Sequence, residues 1–170
     1  PRRGALPLDA LVYVLRGIPV LVLLFLVYFG LPTLGLRVPP FAAVVLSLGA
    51  ISGAYLAEVF RGALDSVDPS ETAAAQAAGM TVLQVFRHVE LPQMLRLAVP
   101  GAVNELTTIL KYTPFAYTVG IPEITKQATT IAATTSHLAE VYVAAGILYF
   151  AIYRVLLALV RAVERRFAVP

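Results

Sequence analysis

Residues 41–57 of the chain read FAAVVLSLGAISGAYLA, an uncharged run that ends immediately before Glu58. A helix needs about 20 mostly apolar residues to cross about 30 Å of hydrocarbon, because lipid offers no hydrogen-bond partner to the backbone N–H and C=O groups. With its flanking residues this run reaches that length. It therefore predicts a membrane-spanning helix over residues 41–60.

Three further apolar stretches lie on either side of this run. The one before it carries no charge, the one after it is interrupted by Glu105 and Lys111, and the last contains Arg154. The four predicted spans cover residues 17–36, 41–60, 93–121 and 140–162. We therefore expect an all-α, polytopic transmembrane bundle, with residues 1–170 forming one transmembrane domain.

The composition also indicates a membrane protein. Hydrophobic residues make up 59% of the 170 residues and charged residues 14%, whereas an ordinary soluble domain has about 25% charged residues. The formal net charge is +3, but the basic residues flank the apolar runs, so we expect no nucleic-acid partner. The chain contains no cysteine, which excludes a thiolate metal site, and we expect no metal site of another kind.

The basic residues predict how the spans are oriented. If residues 62–92 form a cytoplasmic loop, only Arg37 and Lys126 lie at outer ends, whereas nine basic residues lie at inner ends. The nine are Arg2, Arg3, Arg16, Arg61, Arg87, Arg96, Arg161, Arg165 and Arg166. Because cytoplasmic loops carry an excess of Lys and Arg, this topology is favoured, and both ends of the given chain are expected in the cytoplasm.

The loop over residues 62–92 is rich in alanine and contains two helix-start signals. Asp68 precedes Glu71 at the spacing of a capping box, and Thr81 precedes Gln84 at the same spacing. The pattern predicts two short helices, the first ending at Gly79. A slender alanine helix suits docking in a groove, although an ordinary connector is the alternative on composition alone.

Residues 73–92 resemble the EAA loop of the permease subunits of ABC importers. The family pattern is Glu-Ala-Ala, three residues, Gly, nine residues, Ile, one residue, Leu-Pro, and this chain keeps that spacing as Ala73-Ala74-Ala75, Gly79, Val89 and Leu91-Pro92. Four other segments resemble the branch of this family that takes up polar amino acids. They are LRGIP at 15–19, YFGLP at 28–32, YLAEVFR at 55–61 and GIPEIT at 120–125.

The resemblance implies a permease subunit of a bacterial ABC importer with the MetI-like, type I fold. Such a subunit forms the translocation pathway for a polar amino acid or close analogue in the inner (plasma) membrane. The implied partners are an ABC ATPase dimer, a second permease that is identical or homologous, and a periplasmic or lipid-anchored solute-binding protein. The resemblance also implies a further span before the Arg-rich start, giving five spans in the native protein and four here.

In that family the loop forms a coupling helix that binds in a cleft of the ATPase. The resemblance assigns this contact, and the end of the element, to Ala74, Ala75, Gly79, Leu91 and Pro92. Ala73 replaces the family glutamate, so a charge contact expected of that residue is absent. Tyr112 replaces the acid that follows Lys111 in the family, which weakens inferences about the substrate at that position.

The third predicted span carries a polar stripe. Asn104, Thr107 or Thr108, and Lys111 recur at helical spacing, with Glu105 one step to the side. Because ionisable groups are expensive in the membrane, they tend to face a water-filled route or a partner. Our hypothesis places Asn104, Glu105, Thr108 and Lys111 along the translocation route, with Lys111 near a substrate carboxylate and Glu105 near its ammonium. The alternative is that both charges pair with neighbouring helices or lie near the outer interface.

Other functions explain less of the sequence. No Gly-x4-Gly-Lys-Ser/Thr segment is present, so we expect no enzyme activity and no cofactor, with ATP and Mg bound by the partner ATPase. A membrane channel or scaffold without ATP coupling is the main alternative, and it explains the spans but not the loop. An intramembrane hydrolase needs a nucleophile beside a base, whereas His88 and His137 both lie outside the predicted spans.

Overall fold

The computed structural model describes residues 6–167, with side chains from residue 7 to residue 162. Within that part the chain forms eight α-helices and no strand, so the all-α fold class is confirmed. The helices are α1 (Leu6–Gly17), α2 (Val20–Phe25), α3 (Pro40–Asp65), α4 (Pro69–Ala77), α5 (Val82–Val85), α6 (Leu91–Tyr112), α7 (Ile124–Thr135) and α8 (Leu138–Phe167). Arg2 and Arg3, used above for orientation, lie outside the described residues, as do the side chains of Arg165 and Arg166.

Helices α3 and α6 form the centre of the bundle. They pack tightly at Gly101 of α6, where a Cβ atom would lie 2.6 Å from Cγ1 of Val59 on α3. Only glycine lets the backbone of α6 come this close to the Val59 side chain, because Val59 is β-branched and has little freedom to move aside. Ile51 on α3 and Ala98 on α6 are each only 2% exposed.

A second apolar cluster joins α2 and α3 to the segment that follows α6. That segment, Thr113–Val119, is a 3-10 helix that ends at Gly120, where φ is +89°. The buried members of the cluster are Leu24, Ala43, Val44, Ala116 and Val119. The cluster therefore fixes the end of α6 opposite the loop against the start of α3.

The first predicted span, residues 17–36, begins later than expected. The chain bends by 104° between Pro7–Gly17 and Val20–Leu34, at a break that consists of Ile18 and Pro19. Residues before this bend were not predicted to be helical, yet they form α1. Asp9 of α1 contacts Arg61 of α3 at 2.5 Å, and Arg61 also pairs with Glu58 at 3.4 Å.

Two turns of π-helix interrupt the α-helical geometry. They cover Leu26–Gly30 and Phe86–Glu90, and each is followed by a Leu-Pro pair. The N–H of Leu31 donates to the C=O of Leu26, and the N–H of Leu91 donates to the C=O of Phe86, both five residues back. Proline lacks an N–H and its ring clashes with the carbonyl four residues earlier, and the wider turn relieves that clash without ending the helix.

By length and apolarity, α3 and α8 can each cross a membrane. If the bent pair α1–α2 is counted as one span, the total is three. Helix α6, the centre of the third predicted span, does not meet the same criteria. Arg96, Asn104 and Glu105 interrupt its apolar residues. The count of four spans therefore stays a prediction.

The contact between Gly101 and Val59 can be tested by adding one methyl group. We expect Gly101→Ala to destabilise the protein by about 1–3 kcal/mol, the usual cost of overpacking a core. Gly49→Ala is the matched control, because a Cβ atom there has no neighbour within 4 Å. Thermal denaturation in detergent would measure both, and Val59→Ala in the Gly101→Ala background should recover the loss. Equal melting of Gly101→Ala and the unchanged protein would contradict the close approach.

Candidate functional site

The loop between α3 and α6 begins with a capped helix. Oδ1 of Asp68 accepts a hydrogen bond of 2.8 Å from the N–H of Ser70, and this bond lowers the pKa of the Asp68 carboxyl. Glu71, expected to complete a capping box with Asp68, instead accepts a hydrogen bond from the side chain of Gln93. This contact attaches α4 to the start of α6.

Helix α4 ends just before Gly79, in agreement with the predicted end, and Gly79 itself is left-handed. The φ angle of Gly79 is +87°, a conformation that side chains with a Cβ atom rarely adopt. The N–H of Gly79 donates to the C=O of Gln76 at 2.9 Å, and the N–H of Met80 donates to the C=O of Ala75 at 3.1 Å. These two bonds form a Schellman motif, which satisfies the last carbonyls of the helix.

The second helix start also agrees with the prediction. The N–H of Thr81 donates to Oε1 of Gln84 at 2.8 Å, and the N–H of Gln84 donates to Oγ1 of Thr81 at 3.4 Å. Both halves of the capping box are thus present. The loop therefore makes a fixed bend between α4 and α5, which we call the elbow (residues 69–90).

The end of this element differs from the expectation. The coupling element of the loop was expected to end at Leu91 and Pro92. These two residues instead lie inside a helical stretch that continues from α5 through the π turn into α6. The reason is that the π turn accommodates Pro92 without breaking the helix. The second half of the elbow, from Val82, therefore forms one continuous helical stretch with α6.

The exposure of the elbow corrects part of the predicted coupling surface. Ala74 and Gly79 are exposed, but Ala75 is buried within the chain and has little surface to offer a partner. The large exposed apolar side chains are instead those of Met80, Val82, Leu83 and Phe86, with Val82 81% and Leu83 72% exposed. Sequence reasoning missed them, although apolar residues directly after a capping box were the available signal.

The polar stripe of α6 is only partly as predicted. Asn104 and Lys111 are exposed and Thr108 is half-buried on the same face. Glu105 is 6% exposed, and its Oε1 has no hydrogen-bond partner. Because Glu105 points into the protein and Lys111 does not, the structure does not bring these two charges together.

Lys111 lies at a cavity that the sequence analysis did not predict. The cavity has a volume of about 450 Å³ and is formed between α6 with its following turn and α8. The side chains that line it are Leu110, Lys111, Pro114, Tyr149, Phe150 and Tyr153. The aromatic side chains of α8 recur at positions that share one helix face, and this recurrence was the only signal for them in the sequence.

Tyr149 connects this cavity to the GIPEIT segment. Its hydroxyl donates to Oε2 of Glu123 at 2.6 Å and lies 3.1 Å from Oγ1 of Thr125. Glu123 also caps α7 by accepting hydrogen bonds from the N–H groups of Thr125 and Lys126. One wall of the cavity is therefore fixed to the start of α7.

Comparison with known proteins gives the context for these two regions. The family model described as "Binding-protein-dependent transport system inner membrane component" matches residues 1–169. The probable amino-acid permease protein YxeN of Bacillus subtilis (strain 168) is 39% identical over 138 residues, which cover 79% of this chain and 62% of that protein. The glutamine transport system permease protein GlnP of Escherichia coli (strain K12) is 35% identical over 155 residues, which cover 90% of this chain and 71% of that protein.

A solved structure has the same fold. It is described as the crystal structure of an amino acid ABC transporter with histidines, with a TM-score of 0.87 and 34% identity. The match covers 95% of this chain and 75% of that chain. The chain spans less than two thirds of the length of YxeN, but the family match runs through nearly all of its own residues. This chain belongs to the family of binding-protein-dependent transport system inner membrane components.

Proposed function

We propose that the chain is part of a permease subunit of an ATP-driven importer in the bacterial inner membrane. It would form the translocation pathway for a polar amino acid or close analogue delivered by a solute-binding protein. The names of the relatives YxeN and GlnP, an amino-acid permease and a glutamine permease, support this substrate class. Both ends of the given chain would face the cytoplasm, in agreement with the distribution of basic residues.

The observation that carries the proposal is the exposed apolar surface of the elbow. Val82 and Leu83 stand out from a segment whose bend is fixed by two caps and the left-handed Gly79. Fully burying a side chain of this kind is worth about 1.5–3 kcal/mol, so a partner that covers the pair gains substantial affinity. The partner we propose is an ATPase dimer. ATP and Mg would bind to that dimer and not to this subunit.

The geometry also explains how a movement of the ATPase reaches the membrane helices. The elbow continues without a break into α6, and Glu71 holds α4 against Gln93 at the base of that helix. A displacement of the elbow therefore moves α6, which packs on α3 through Gly101. A channel or scaffold would not require this rigid connection between an exposed apolar loop and the central helix.

We propose that the stripe of Asn104, Thr108 and Lys111 borders the translocation route, with a second permease closing the other side. These side chains share one face of α6, on which Asn104 and Lys111 are exposed and Thr108 is half-buried. Glu105 is buried in this conformation, so a contact between Glu105 and substrate requires α6 to move relative to its neighbours.

The elbow surface is tested by a charge substitution. We expect Leu83→Asp to lower both co-purification with the ATPase and ATP-dependent uptake by about tenfold or more, because docking would bury a carboxylate. Ser70→Asp is the control, since Ser70 is exposed at the start of α4, where a negative charge is favourable. Uptake that continues without nucleotide, or normal uptake by Leu83→Asp, would contradict the proposed coupling.

The bend at Gly79 is tested by two substitutions that differ in backbone preference. Asn tolerates a positive φ and Val does not, so Gly79→Asn should keep uptake within about twofold of the unchanged protein. Gly79→Val should distort the elbow. In reconstituted vesicles it should lower the ratio of substrate taken up to ATP hydrolysed about tenfold. Equal ratios of uptake to hydrolysis in the two variants would show that the bend is not needed.

A further inference from the structure

Helix α1 meets the segment that follows it almost at a right angle. The bend between Pro7–Gly17 and Val20–Leu34 is 104°. Helix α1 has 12 residues and is therefore about 18 Å long at 1.5 Å per residue, too short to cross about 30 Å of hydrocarbon. With residues 20–34 crossing the membrane as part of the first predicted span, α1 lies close to the plane of the membrane.

Contacts between side chains hold α1 against one end of α3. Asp9 pairs with Arg61, and the guanidinium of Arg16 lies 3.5 Å from a carboxylate oxygen of Glu58. The same guanidinium lies 5.2 Å from the ring centre of Tyr55, at which distance a cation is attracted to the ring face. The predicted span of α3 ends at residue 60, between Glu58 and Arg61. These contacts therefore place α1 at the level where hydrocarbon gives way to headgroups.

The side chains of α1 divide into three faces. Asp9, Val12 and Arg16 share the face toward α3, and Val12 is buried there. A second face is an apolar arc about 120° wide, the width expected of the buried stripe of an amphipathic helix. The members of this apolar arc are Leu8, Leu11, Val14 and Leu15. Tyr13, which is 81% exposed, lies on the third face.

The described residues leave most of the apolar arc uncovered. Leu8, Leu11 and Val14 are each more than half exposed. At this level the neighbouring solvent is lipid on one side and water on the other, and the faces of α1 match both. The apolar arc suits the acyl chains, and Tyr13 on the third face suits the headgroup layer, in which tyrosine is enriched. An amphipathic helix of this kind lies in the interface with its apolar face in the lipid.

We propose that α1 is an interfacial helix whose apolar arc is buried among the lipids of the inner leaflet. The contacts with Glu58 and Arg61 attach the helix to α3 and so fix the end of α3 at the membrane surface. The bent pair then contributes one span, which begins after the bend. The choice of leaflet rests on the orientation given under the proposed function, whereas the burial in lipid does not.

The test measures the depth of single residues in the membrane. Full-length permease assembled with its ATPase is placed in vesicles of phosphatidylcholine and phosphatidylglycerol. The given chain contains no cysteine, so one spin label can be attached to each single-Cys variant after any cysteine elsewhere in the complex is changed to serine. Collisions of the label with oxygen, which enters lipid, and with a nickel chelate, which stays in water, report the depth.

Labels on the apolar arc should lie at one depth. We expect Leu8→Cys, Leu11→Cys and Val14→Cys to agree within about 3 Å and to collide mainly with oxygen, because an interfacial helix does not change depth along its axis. Leu15→Cys replaces any of the three that fails to assemble. Tyr13→Cys should collide at least about fivefold more often with the nickel chelate than these labels do. It should also react with an impermeant maleimide added on the ATPase side.

The span after the bend provides the control. Val22→Cys and Leu26→Cys carry exposed labels on that span and should differ in depth by about 6 Å, because they are four residues apart on a crossing helix. A steady change of about 9 Å from Leu8 to Val14 would mean that α1 crosses the membrane.

Three other results would also overturn the inference. Labels on the apolar arc that collide mainly with the nickel chelate would place the arc in water, and labels that collide with neither reagent would mean that protein covers it. Reaction of Tyr13→Cys only on the side opposite the ATPase would exclude the inner leaflet. Loss of ATP-dependent uptake by the unchanged importer would overturn the proposed function and leave the measured depths, and this inference, unaffected.

Discussion

A proline within a helix removes one backbone hydrogen bond and crowds the preceding turn, and this constraint shapes the chain at Pro32 and Pro92. At Pro32 and Pro92 the helix widens into a π turn, so that the N–H of the preceding leucine bonds five residues back. The chain thus remains helical where an ordinary α-turn would be disrupted. The continuity at Pro92 joins the cytoplasmic elbow to the central helix, and the function we propose depends on that connection.

The central pair of helices sets the position of every other functional group. Because α3 and α6 approach closely at Gly101, the side chains on the contact face of α6 are buried, and Glu105 is among them. Lys111, about 120° further round α6 than Glu105, lies at the cavity beside α8. The rotation of the helix therefore separates two charges that are only six positions apart in the sequence.

Features that depend only on residues close together in the sequence could be predicted. The capping box of Thr81 and Gln84 and the left-handed Gly79 follow from local spacing, and both are present. Features that depend on packing could not. The partner of Glu71 is Gln93, 22 residues away, and Ala75 is buried although nothing in its local sequence distinguishes it from Ala74. The walls of the Lys111 cavity come from α8, so no local pattern in α6 could indicate them.

The wide turn at Phe86–Glu90 has a consequence for how such a loop evolves. An α-helix turns by about 100° per residue, so adding or deleting one residue between Gly79 and Pro92 would rotate the elbow by that angle relative to α6. Selection then acts on the length of this segment independently of its chemistry. In this chain Ala73 stands where the EAA pattern has glutamate, while the number of residues to the Leu-Pro pair matches that pattern.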